Sequence, residues 1–154
     1  INRDIRFSKD KTPYKTNVSA IITPGGKKDK TTPGLYFEFN PENVRIYGGV
    51  YMLDKDQLYN VRQYIVDHLS EFGKAIGEKA FVEKYGEIRG EKNKVIPKEF
   101  REAAEKQPLI LNKQFYYFAK CKPELVLEDN LADVLLEYYH ASDRIRGFLT
   151  KALN

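Results

Sequence analysis

The stretch LYFEFNPENVRIYGGVYM, residues 35–52, alternates so regularly that it dictates its own pairing. A turn at Asn40–Asn43 sets Phe39 opposite Val44, Glu38 opposite Arg45, Phe37 opposite Ile46 and Tyr36 opposite Tyr47. Apolar then meets apolar on one face of a hairpin, and polar or aromatic meets its like on the other. On that second face Tyr36, Glu38, Arg45, Tyr47 and Tyr51 project together. Gly48 and Gly49, inside the second strand, signal a bulge or a close approach by another group.

The flanking sequence supplies the other elements. In NVSAIIT, Val18, Ala20 and Ile22 fall on one face of a strand, with Ser19 and Thr23 on the other. A breaker-rich loop runs from Gly25 to Gly34. Asp54 caps a helix whose Leu58, Val61, Ile65 and Leu69 recur at helical spacing. Ser70 and Glu71 open a second helix, and a third carries Phe81, Val82 and Tyr85 and stops at Gly86. Pro97 opens a further short helix, and QFYYFAKC reads as a fourth strand. Leu131, Val134, Leu135, Tyr138, Ile145, Phe148 and Leu149 form one stripe of a long C-terminal helix, capped by Asp129 or Asn130. The expected fold is α+β: a largely antiparallel sheet of about four or more strands, with helices packed on one face.

The chain length of 154 residues suits one domain spanning 1–154, a size that buries about two-thirds of the unfolded surface. No apolar run approaches the roughly 18 residues of a membrane span, and no signal peptide is visible, so no membrane partner is expected. Cys121 stands alone, which excludes an internal disulfide and points to a reducing compartment, the cytoplasm. The net charge of +4 is concentrated near the amino end. Residues 1–30 hold eight Lys or Arg against three Asp, a balance of +5, which leaves −1 for the rest. Such asymmetry favours an anionic partner.

Familiar catalytic signatures are missing. His68 and His140 have no HExxH or Cys–His companions, so no metal site is expected. PGGKKDK, residues 24–30, lacks the glycine gap and the Lys–Ser/Thr pair of a phosphate loop, and no motif calls for a cofactor. What stands out is RDIRFSKDKTPYK, residues 3–15. Guanidinium forks grip carboxylate or phosphate in pairs, and Arg3 and Arg6 could converge across one tight turn, with Asp4 orienting one of them. The plainer reading is an Arg3–Asp4–Arg6 ion network pinning the segment to the sheet, with the lysines solvated.

These residues resemble the motif of domain-of-unknown-function family 2461: Arg-Asp-x-Arg-Phe, three residues, then Lys-x-x-Tyr. The matching positions are Arg3, Asp4, Arg6, Phe7, Lys11 and Tyr14. Further similarity lies at Gly25–Gly26, Pro33–Phe37, Gly48–Asp54 and Gly90–Phe100, so the resemblance spans essentially the whole chain. The family motif begins with one more Arg, three positions before Arg3, and a helical segment precedes it. The resemblance therefore implies a fragment that lacks the family's N-terminal segment. It also implies an α+β domain and marks Arg3, Asp4, Arg6, Lys11 and Tyr14 for testing, but it carries no activity, substrate or cofactor.

The leading expectation is a module that binds a small phosphate- or carboxylate-bearing ligand through Arg3, Asp4, Arg6, Lys11 and Tyr14, with Arg45 and Tyr47 alongside. An enzyme using Asp10 or Glu38 as base ranks below it, because nothing selects a reaction. Nucleic-acid binding through the basic segment, with Phe7 and Tyr14 stacking, ranks third. A purely structural ion network is the remaining alternative.

Overall fold

The computed structural model describes residues 17–23 and 32–154. Four strands form one antiparallel sheet in the order β1 (Val18–Ile22), β2 (Leu35–Asn40), β3 (Asn43–Val50) and β4 (Phe115–Cys121). The β2–β3 register is the expected one, from Asn40 opposite Asn43 to Tyr36 opposite Tyr47. The Asn40 Oδ1 locks the turn by accepting from the backbone N–H groups of Glu42 and Asn43, both at 2.9 Å.

Between β3 and β4 lie α1 (Lys55–Asp67), α2 (Leu69–Ile76), α3 (Lys79–Tyr85) and α4 (Arg101–Lys106); α5 (Leu131–Ala141) and α6 (Asp143–Leu153) follow β4. Asp54 caps α1 as expected. Its carboxylate accepts from the Gln57 N–H at 2.8 Å, and the Gln57 side chain accepts from the Asp54 N–H at 3.0 Å. This reciprocal box contributes about 1 kcal/mol. Pro97 precedes a single 3-10 turn, Lys98–Phe100, that leads into α4.

The expected long C-terminal helix is two helices that meet at Ser142, where ψ opens to 6°. There the Ser142 hydroxyl donates to the Tyr139 carbonyl at 2.9 Å, an internal hydrogen bond that competes with the helix ladder. The apolar stripe nonetheless survives the break: Ile145, Phe148 and Leu149 of α6 are buried.

The core lies between one sheet face and the helices. Val44, Ile46, Phe115 and Tyr117 point inward against Val61 and Ile65 of α1, Phe72 of α2, Phe81 and Tyr85 of α3, and Phe148 of α6. On β1 the inward positions remain open, with Val18 at 49% and Ile22 at 55% exposure.

Arg62 of α1 is buried without a carboxylate partner among the described residues. Its Nε donates to the Ile110 carbonyl at 2.8 Å, and its Nη2 donates to the carbonyls of Asn112 at 3.1 Å and Leu111 at 3.4 Å. Burial lowers its pKa. The guanidinium thereby latches α1 onto the chain just before it enters β4.

Candidate functional site

The outer sheet face is a grid, because side chains of antiparallel neighbours align across strands. One row runs Ile21, Tyr36, Tyr47, Phe118 from β1 to β4. Ring centroids lie 5.6 Å apart for Tyr36 and Tyr47, and 5.4 Å apart for Tyr47 and Phe118. Both spacings suit tilted aromatic contacts. At the far edge the Arg89 guanidinium covers the Phe118 ring at 4.5 Å, and the Arg89 N–H donates to the Tyr116 carbonyl at 2.7 Å.

Continuing the same registers, the next row is Thr23, Gly34, Gly49 and Tyr116, and the row beyond holds Thr32 and Tyr51. Tyr51 and Tyr116 meet edge to face with centroids 5.3 Å apart. The middle row thus has two adjacent positions with no side chain, framed by rings. There the surface opens into a hollow of about 550 Å³ lined by these rows together with Arg45 and Gly48. That volume falls within the range of small-molecule sites, about 300–1,000 Å³.

Glycine is required at both empty positions. A Cβ on Gly34 would lie 2.3 Å from the Thr23 Cγ2 and 2.5 Å from the Ile22 carbonyl oxygen. Gly49 has φ of 86°, and a Cβ there would lie 2.2 Å from the Phe115 carbonyl oxygen. The sequence signal at Gly48 and Gly49 is therefore close approach; the β3–β4 register runs through both glycines without a bulge.

Arg45 stands one row before Tyr47, between Glu38 of β2 and Lys120 of β4. Its Nε donates to the Asn43 Oδ1 at 3.0 Å and its Nη1 to the Tyr47 hydroxyl at 3.5 Å. The bond to Tyr47, with smaller help from Glu38 and Glu42, raises the pKa of a guanidinium that is charged at any ordinary pH. Glu38 accepts from the Tyr36 hydroxyl at 3.2 Å and stays outside the hollow's lining.

Of the residues expected to bind a ligand, Arg45 and Tyr47 come together here; Arg3, Asp4, Arg6, Lys11 and Tyr14 lie outside the described residues. Tyr36 and Tyr51, expected on the same face, also line the hollow. Sequence reasoning missed Gly34, Tyr116 and Phe118 as lining residues. Alternation in QFYYFAKC separates Tyr116 and Phe118 from the inward Phe115 and Tyr117, and that was the available signal.

Among the described residues no helix is long and apolar enough to cross a membrane, and no three His, Cys, Asp or Glu side chains are grouped to hold a metal. Neither curated proteins nor solved structures give a match. A family model described as conserved hypothetical protein does match residues 1–148, nearly the whole chain, and the protein accordingly belongs to the DUF2461 family.

Proposed function

We propose that the protein binds a small phosphate- or carboxylate-bearing ligand in the outer-face hollow, with Arg45 as its anion contact. The observation that carries this reading is a guanidinium at the rim of an aromatic pocket that forms no ion pair among the described residues. Its two hydrogen bonds to neutral oxygens orient the fork and leave its charge for a ligand. Lys120, exposed on the neighbouring strand, adds to the local field. Arg3, Arg6, Lys11 and Tyr14, in the segment before β1, are proposed as further contacts to the same anion, with Asp4 orienting one of the two arginines.

Thermal-shift and calorimetric titration with phosphorylated and carboxylated compounds tests the proposal. A charge-assisted bond contributes about 1.5–3 kcal/mol, so Arg45→Ala should weaken binding by roughly tenfold or more while the free protein melts almost unchanged. Arg3→Ala and Arg6→Ala should also weaken binding without early melting. If no anion shifts the melting temperature, or Arg45→Ala binds as well as the parent, the proposal fails. Early melting of the Arg3 and Arg6 variants with unaltered affinity would assign that motif to an ion network instead.

A further inference from the structure

The two side-chain positions missing from the outer grid indicate the shape of what fits there. We infer that the ligand carries a flat aromatic or heteroaromatic ring, which fills the Gly34–Gly49 gap while its anionic group reaches Arg45. This rests on the small-anion reading above and narrows it to ring-bearing anions, such as an aryl phosphate or a nucleoside monophosphate.

The floor of the hollow stays low at this gap, since neither glycine can accept a Cβ: the Thr23 methyl lies against Gly34 and the β4 backbone against Gly49. It is bordered by Tyr36 and Tyr47 on one side, Tyr51 on another and Tyr116 on β4, so whatever enters meets rings. Aromatic edges and faces attract one another when offset or tilted, which favours a ring over an aliphatic chain of equal area. The same sheet shows the same solution on its other face. Gly48 leaves a gap there, and the Tyr117 ring fills it so closely that a Cβ would lie 2.4 Å from the Tyr117 Cε2.

Spacing ties the ring to the anion. Same-face neighbours on a strand are about 7 Å apart, so Arg45 lies two such steps from Gly49 at the backbone. Its guanidinium is held between Asn43, on the side away from Gly49, and the Tyr47 hydroxyl, on the side toward it. A ring over Gly49 and an anion at Arg45 are therefore one to two such steps apart, roughly 7–14 Å. A phosphate joined to a ring through a short linker or a ribose spans about that distance. Among the described residues the lining is tyrosine, phenylalanine, threonine, isoleucine and glycine with the Arg45 guanidinium at one end, which suits a ligand with a charged end and a large ring body. Because Arg89 already covers Phe118, the row does not continue as a chain of open stacking platforms, and a single ring is favoured over a nucleic-acid strand.

The test compares phenyl phosphate and AMP with inorganic phosphate and glycerol phosphate. Binding is followed by calorimetry and by tyrosine emission, which can be read directly because the chain has no tryptophan. The ring-bearing phosphates should bind at least tenfold tighter than the other two and quench the emission. Tyr51→Ala and, independently, Tyr116→Ala, neither of which bonds the Arg45 fork, should erase that preference while keeping the affinity for inorganic phosphate; Arg45→Ala should weaken all four. Equal binding of glycerol phosphate and phenyl phosphate overturns the ring inference and leaves the small-anion reading standing. No binding by any of the four, nor by benzoate, removes both. Tighter binding of a mixed single-stranded oligonucleotide, with a salt slope of several phosphates, overturns the inference in favour of nucleic acid.

Discussion

Gly48 and Gly49 are neighbours in sequence, yet they face opposite sides of the sheet and have opposite fates. On the inner face the space above Gly48 is filled by the Tyr117 ring, which also packs edge to face on Phe81 at 5.0 Å and on Tyr85 at 4.8 Å. On the outer face Gly49 and Gly34 form part of the floor of the hollow. The contrast separates packing from opening. Above one glycine a ring of the core fills the space, and above the other no described side chain does.

The largest expected effect is on the filled side. Tyr117→Ala should cost about 4 kcal/mol, the range for an aromatic removed from a tight core. Gly48→Ala should cost about 2 kcal/mol alone by overpacking, and much less in the Tyr117→Ala background, where the ring it collides with is gone. Denaturant unfolding of the four proteins in this cycle measures the coupling, and simple additivity would break the comparison.

A second expectation concerns alkaline pH. Burial pushes the Tyr117 hydroxyl up to about 12, and the nearby Ser142 hydroxyl and Gly49 backbone approach it without closing a hydrogen bond. Tyr138 is likewise pushed up to about 12, by burial first and then by its contact with Cys121, and burial raises Tyr85 further. Below pH 10 these groups are protonated in both folded and unfolded chains, and their contribution to stability is intact. Between pH 10 and 12 the unfolded chain releases protons that the native one keeps, so stability falls as pH rises. For Tyr117 the slope approaches about 1.4 kcal/mol per pH unit, with a smaller share from the half-buried Tyr138. Phenolate absorbance should show a late class among the eleven tyrosines, and one uniform transition near pH 10 in the folded protein would contradict this.

The smallest effect lies on the open side. Tyr36→Ala removes a half-buried ring whose partners are Tyr47 and the Glu38 carboxylate, and it should cost about 1 kcal/mol or less. A loss comparable to that of Tyr117→Ala in the same unfolding experiment would show that both faces are core.

How much of this was legible depended on whether the pairing partners were close in sequence. The β2–β3 hairpin could be read residue by residue, because its turn and period-two alternation lie within one short segment. β4 could be recognised as a strand from its aromatics, but its register against β3 could not, because no turn joins them and α1 to α4 intervene. That is why Tyr36, Tyr47 and Tyr51 were assembled from sequence while Tyr116 and Phe118 were missed. The break at Ser142 was hidden for another reason: one residue leaving helical geometry hardly shifts the phase of a 3.6-residue stripe. The amino-terminal motif, the most specific sequence feature, falls outside the described residues, whereas Arg45 was legible as the cation on the aromatic face of the β2–β3 hairpin.

The buried Arg62 has a consequence for the opposite side of the sheet. β4 reaches β3 without a tight turn; besides the β3–β4 ladder, a helix behind the sheet grips the carbonyls of Ile110, Leu111 and Asn112, a few residues upstream of Phe115. The outward rings of Tyr116 and Phe118 follow on the same segment, so a buried cation behind the sheet grips the chain only a few residues upstream of them. Loosening that rear grip would be felt first where this segment enters the strand, so a residue sealed inside the molecule bears on the placement of rings that face outward.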